Sequence, residues 1–176
     1  MQPHFEKMCV YMQIKDWFLD LNALPNDCVT ADYTLGDDFW ALFENSLVPK
    51  GNVKAHAQIE RKSKYFELQI DVQGHVWVPC DRCLDDVDVE INRQDDFIVK
   101  LADEDDYGED MIYINKADGM LDLATLFYEA AALSLPVVVT HPEGECNKQM
   151  LEILKQHEPH KDEETIDPRW EKLKDI

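Results

Sequence analysis

The stretch Phe66-Glu67-Leu68-Gln69-Ile70-Asp71-Val72-Gln73-Gly74-His75-Val76-Trp77-Val78-Pro79-Cys80 decides the fold. Its even positions Phe66, Leu68, Ile70, Val72, Val76 and Val78 are apolar, and Glu67, Gln69, Asp71 and Gln73 between them are polar. A period of two sends alternate side chains to opposite faces of a strand, so one face is buried and the other wet. Upstream, Val53, Ala55, Ala57 and Ile59 alternate with Lys54, His56, Gln58 and Glu60, and Arg61-Lys62-Ser63-Lys64 is the polar turn between the two runs. Downstream of Cys83 the apolar parity moves to odd positions: Val87, Val89, Ile91, Phe97, Val99 and Leu101. Such runs, joined by short polar turns, predict an antiparallel meander with one buried face. Arg93-Gln94-Asp95 interrupts the last run and predicts a bend or bulge there.

Further out, residues 8–19 predict an early strand with a turn after it, and residues 29–35 another strand. Gly36-Asp37-Asp38 breaks it, and Phe39, Trp40, Leu42 and Phe43 suit a short helix capped by an Asp. Residues 102–110 form an acidic loop, either solvated or a contact for a basic partner. Met111 to Asn115 is a short strand, and Asp118-Gly119 a turn. Asp122 caps a helix with the apolar stripe Leu123, Leu126, Phe127, Ala130 and Leu133, which Leu135-Pro136 stops. A further helix spans Cys146 to about Gln156. The fold class is α+β: an antiparallel sheet, open or barrel-like, with a few packed helices. Residues 1–156 make one domain, and 157–176 a polar linker and a short C-terminal helix that starts at Asp167-Pro168. That basic-amphipathic tail, with Trp170, Lys172 and Lys174, docks on its own domain or engages a partner.

Composition narrows the function. A chain of 176 residues with 45% hydrophobic residues can bury one sizeable core. Its 37 acidic against 17 basic residues give a net charge of −20. Phosphate backbones repel such a chain, so direct nucleic-acid binding is disfavoured unless the turn Arg61-Lys62-Ser63-Lys64 supplies a local basic patch. Basic partners such as ribosomal proteins attract it; solubility alone is the plainer explanation. No stretch approaches the roughly 18 apolar residues that span a bilayer. The N-terminus lacks the layout of a secretory signal. Five cysteines, an odd count, do not form a disulfide framework and fit a reducing cytoplasm. Cys9 and Cys28 have no partner by spacing and are read as core residues.

The chemistry gathers at Cys80-Asp81-Arg82-Cys83. A Cys-x-x-Cys at a hairpin tip puts both sulfurs on one side of the turn, which is half of a tetrahedral metal site. His141 and Cys146, spaced His-x4-Cys after a helix, offer the other half, and the four together make a structural zinc set. Two other readings stand beside it: a reduced, partly buried thiol pair, and a redox dithiol. The redox motif belongs at a helix N-terminus, and here the flanks are strands. There is no Gly-rich phosphate loop, no Gly-x-Ser-x-Gly and no His-Glu-x-x-His, so the chain is not expected to be an enzyme. Arg82, between the sulfurs, contacts a partner or caps the knuckle.

These blocks resemble a family. Cys80-Asp81-Arg82-Cys83 after a strand is similar to the Cys-x-Arg-Cys signature of the YceD proteins. Glu129, Leu133-Ser134-Leu135-Pro136-Val137-Val138, His141 and Cys146 resemble that family's second block, and Asp167-Pro168-Arg169-Trp170-Glu171-Lys172-Leu173-Lys174 its closing tail. The resemblance covers roughly residues 50–176. It implies a bacterial cytoplasmic protein that supports accumulation of large-subunit (23S) ribosomal RNA, without a known biochemical step. With the net charge, it points to a non-enzymatic factor that binds a basic ribosomal protein or a large-subunit assembly intermediate. The alternatives are an acidic adaptor or chaperone for another basic protein, and a Cys-x-x-Cys thiol-redox protein.

Overall fold

Three long strands carry the structure, a computed structural model that describes residues 9–11, 17–25, 27–44, 46–108 and 111–157. In chain order its elements are β1 (Val10–Tyr11), β2 (Phe18–Asp20), β3 (Cys28–Leu35), α1 (Asp37–Trp40), β4 (Lys50–Arg61), β5 (Phe66–Pro79), β6 (Asp86–Ala102), β7 (Asp106–Tyr107), β8 (Met111–Asn115), β9 (Met120–Asp122), α2 (Leu123–Leu133) and α3 (Lys148–His157). One sheet has the order β1-β3-β4-β5-β6-β8-β7, and β2 pairs with β9 apart from it. The fold is α+β with a mostly antiparallel sheet. With β1 and β7 at opposite edges, the sheet is open, not a closed barrel.

The alternation does what it predicts. Val53, Ala55, Ala57 and Ile59 of β4, Leu68, Ile70, Val72 and Val76 of β5, and Ile91 and Val99 of β6 are all buried. Leu126, Phe127 and Ala130 of α2 join the same core. Full burial of each larger aliphatic side chain stabilises by about 1.5–3 kcal/mol, so this shared face holds the domain together. Asp122 caps α2 as expected, its Oδ1 accepting from the N–H groups of Ala124 at 2.9 Å and Thr125 at 3.3 Å. Trp40 Nε1 donates to the Gly51 carbonyl at 3.1 Å and ties α1 to β4.

Five expectations are corrected. No bulge interrupts β6: its register with β5 runs unbroken from Phe66↔Val99 to Pro79↔Asp86. Arg93 and Asp95 do fall on the apolar parity, but they neutralise each other, Nε to Oδ2 at 2.6 Å and Nη2 to Oδ1 at 2.7 Å. A bidentate pair satisfies both charges without breaking the ladder. The meander is also incomplete. The acidic stretch contributes an outer strand, β7, so β8 returns between β7 and β6 and lies parallel to β6.

The residue before α1 is Gly36, with no side-chain cap, and Asp37 and Asp38 sit in the first turn, where the helix N-terminus favours negative charge. The early strand is two pieces, β1 and β2, with residues 12–16 outside the described residues. Cys9 and Cys28 do have partners, each other: they form a disulfide. β1 lies parallel to β3 with Val10 opposite Val29, which sets the preceding cysteines side by side. Spacing along the chain carries no trace of that pairing. The expected C-terminal helix, with Trp170, Lys172 and Lys174, lies outside the described residues.

Candidate metal centre

The β5–β6 hairpin turns at Cys80-Asp81-Arg82-Cys83-Leu84. The Cys80 N–H donates to the Asp85 carbonyl at 2.8 Å, and the Leu84 N–H to the Cys80 carbonyl at 2.9 Å. Leu84 takes a φ of 64°, a left-handed conformation that costs about 1–3 kcal/mol for a side chain with a Cβ. The turn is thereby tight enough to aim both sulfurs inward, and Cys80 and Cys83 are almost fully buried. The Arg82 N–H points back at Cys80 Sγ, at 3.4 Å. The guanidinium plays no part in this, so it is the Arg82 backbone that braces the knuckle.

The second half comes from the irregular segment between α2 and α3. Two hydrogen bonds clamp it to the knuckle: the Asp81 N–H donates to the Val139 carbonyl at 2.8 Å, and the Val139 N–H to Asp81 Oδ2 at 2.6 Å. Asn147, which caps α3 through the Gln149 N–H at 3.0 Å, also donates to Asp85 Oδ2 at 3.2 Å. Between these anchors His141 and Cys146 meet the two knuckle sulfurs. The ligand atoms of Cys80, Cys83, His141 and Cys146 all lie within 4.8 Å of one another.

The geometry fits a metal ion. Metal–sulfur bonds of about 2.3 Å and metal–nitrogen bonds of about 2.1 Å in a tetrahedron require S···S near 3.8 Å and S···N near 3.6 Å. The Cys80 and Cys146 sulfurs are 3.9 Å apart. His141 Nδ1 is 3.4 Å from the Cys83 sulfur and 4.0 Å from that of Cys146. His141 Nε2 donates to the Asp86 carbonyl at 3.2 Å, which leaves the Nδ1 lone pair toward the sulfurs. A backbone acceptor that sets the tautomer is the usual outer support of a ligating histidine.

The electrostatics also suit a cation. Burial works to raise the Cys80 thiol, but hydrogen bonds from the Cys83 and Arg82 backbone and from His141 outweigh it and lower the pKa to about 6. Burial, then the neighbouring Cys80 and Cys83, push Cys146 up to about 11. A hydrogen bond with Cys80 raises His141. Buried thiols crowded around one point repel further ionisation, and a cation at that point removes the conflict.

A family model described as "Large ribosomal RNA subunit accumulation protein YceD" matches residues 68–176. The chain belongs to the YceD family. The match starts within β5, later than the roughly residue 50 suggested by motifs alone, and it contains all four ligand residues. Searches of curated proteins and of solved structures returned no match. In this YceD protein the structure brings together Cys80, Cys83, His141 and Cys146 and leaves Arg82 exposed at the tip. Sequence reading missed Asp81, although it stands between the two cysteines, because its role depends on a contact with Val139 far along the chain.

Asp81→Ala is expected to lower stability by about 1–3 kcal/mol, since it strands the buried Val139 N–H. Chemical denaturation checks this; a loss under about 0.5 kcal/mol would show that the clamp is dispensable.

Proposed function

We propose that the protein is a non-enzymatic factor that supports large-subunit ribosomal RNA accumulation by binding a basic component of the subunit, on a scaffold held by a structural zinc ion. The observation that carries this reading is the YceD match across residues 68–176, which contains the whole Cys/His group. Three cysteines and one histidine complete a four-coordinate shell and leave no position for substrate, so the ion would brace the fold, not catalyse. The charge supports a basic protein partner over RNA. Glu67, Asp88, Glu90 and Asp96 all stand exposed on the outer face of the sheet. Two of the three cations of the β4–β5 turn are engaged within the chain, leaving Lys64 exposed: Lys62 pairs with Glu60 and Glu67 at 2.9 Å each, and the Arg61 guanidinium lies over the Phe66 ring. Exposed Val137 and Val138, beside the centre, add apolar contact surface.

No described helix is long and apolar enough to cross a membrane; the cytoplasm is proposed from the ribosomal role in the description of the matching family. The Cys9–Cys28 disulfide counts against that compartment, where such cysteines are kept as thiols. The lowered Cys80 thiol favours a second reading, thiol–disulfide exchange. Against it, the Cys80 sulfur is buried and no helix begins at the motif.

Immobilised protein is expected to retain large-subunit proteins at about 50 mM salt and to release them by about 0.5 M, where screening shortens to a few ångströms. Retention of basic proteins from outside the ribosome instead would favour the adaptor reading. No retention even at low salt would sink both.

A further inference from the structure

Between the inward face of β6 and α2 lies a cleft of about 720 Å³, lined among others by Arg93, Asp95, Tyr107, Leu126, Glu129 and Leu133. Its charges are unbalanced. Arg93 commits two guanidinium nitrogens to Asp95, and that pair is neutral. The Glu129 carboxylate has no hydrogen bond or ion pair among the described residues. It is open to solvent and faces Asp122 from the cap of its own helix, Tyr107 from β7 and the Arg93–Asp95 pair from β6. Burial, then Asp122, hold this carboxyl above its ordinary range, and no cation among the described residues relieves it. Buried Leu126 and Ala130 make the wall beside it apolar, and Leu133, 67% exposed, extends that wall outward. Exposed Glu104 and Asp106 precede Tyr107 and add to the negative field.

We infer that this cleft receives one lysine or arginine side chain of the basic partner, with its charged end against Glu129 and its aliphatic stem along Leu126 and Leu133. Only a side chain with an apolar stem and a cationic head satisfies both walls. A divalent ion does not fit, because Asp95 is committed and Glu129 alone falls short of the oxygen ligands such ions need. The inference rests on the proposed function for the partner's basic character and adds the place where it docks.

The probe is a fluorescein-labelled nonapeptide of alternating lysine and alanine, bound to the full chain. Glu129→Lys is expected to weaken binding about tenfold, because like charges then meet in the cleft. Glu152→Lys makes the same change of net charge on the exposed surface of α3 and is expected to cost less than about twofold. Equal losses in the two variants would overturn the inference. Folding is not at risk in the milder variant Glu129→Gln. A carboxyl whose folded pKa is raised favours the native state below its unfolded pKa, and that advantage is lost as pH rises through the folded pKa. Glu129→Gln is therefore expected to melt no lower than wild type at pH 7, with the difference closing below about pH 4. If wild type and Glu129→Lys retain large-subunit proteins equally, the cleft is refuted and the proposed function stands. If wild type retains none yet binds the peptide through Glu129, the cleft stands and the proposed function falls.

Discussion

Protein purified without chelators is expected to carry about one equivalent of zinc, and Cys80→Ser and Cys146→Ser less than about a tenth. The large effect follows from the setting. Residues 137–147 have no strand or helix of their own, and they are tied to the β5–β6 hairpin through the Asp81–Val139 clamp, the His141–Asp86 bond and the Asn147–Asp85 bond. A metal ion would add four bonds at their meeting point. Serine keeps the size of cysteine but is a poor zinc ligand, and it leaves a hydroxyl among buried sulfurs. Loss of the ion is expected to lower the thermal midpoint by about 10 °C, from a destabilisation of about 3–5 kcal/mol spread over a domain of this size. Metal analysis and melting of the same preparations check both figures. Less than about a tenth of an equivalent in wild type would retire the metal reading.

Gly74→Ala is expected to destabilise by about 3 kcal/mol, near the top of the range for overpacking. Gly74 pairs with Val53 within the β4–β5 ladder. An added Cβ would lie 2.3 Å from the Asn52 carbonyl oxygen and 2.7 Å from the Val53 Cα. Both are backbone atoms, so the clash is relieved only by spreading the two central strands. Gly36→Ala is the control, because a Cβ there meets nothing within 4 Å. Denaturant midpoints of the two variants measure the contrast. A loss under about 1 kcal/mol for Gly74→Ala would show that the strands separate more easily than packed sheets do.

Much of the fold was legible in local pattern. The three long runs read as β4, β5 and β6, the stripe from Leu123 to Leu133 as α2, and the segment from Cys146 to Gln156 as α3, whose bounds are Lys148–His157. Each follows from a period repeated over enough residues to outweigh single exceptions. Arg93 and Asp95 show where the method fails. Two charges at apolar parity read as a bulge because a sequence does not say that they bond each other. The acidic run after Ala102 read as a loop because aspartates disfavour strands, yet pairing with β8 recruits Asp106 and Tyr107. The pairing of Cys9 with Cys28 was invisible for a similar reason: it depends on which strands become neighbours.

The candidate site divides along the same line. Sequence alone determined the ligand types, the knuckle spacing and the buried face, because these depend on neighbours in the chain and on alternation. Only the tertiary structure decided that His141 Nδ1 and the Cys146 sulfur meet Cys80 and Cys83, and that Asp81 and the Asp86 carbonyl hold them there. It also decided that the Glu129 carboxylate has no partner among the described residues beside the paired Arg93 and Asp95. These contacts join residues distant in sequence through strand order and helix placement. Such information lies in the packing of the whole chain and in no single window of it.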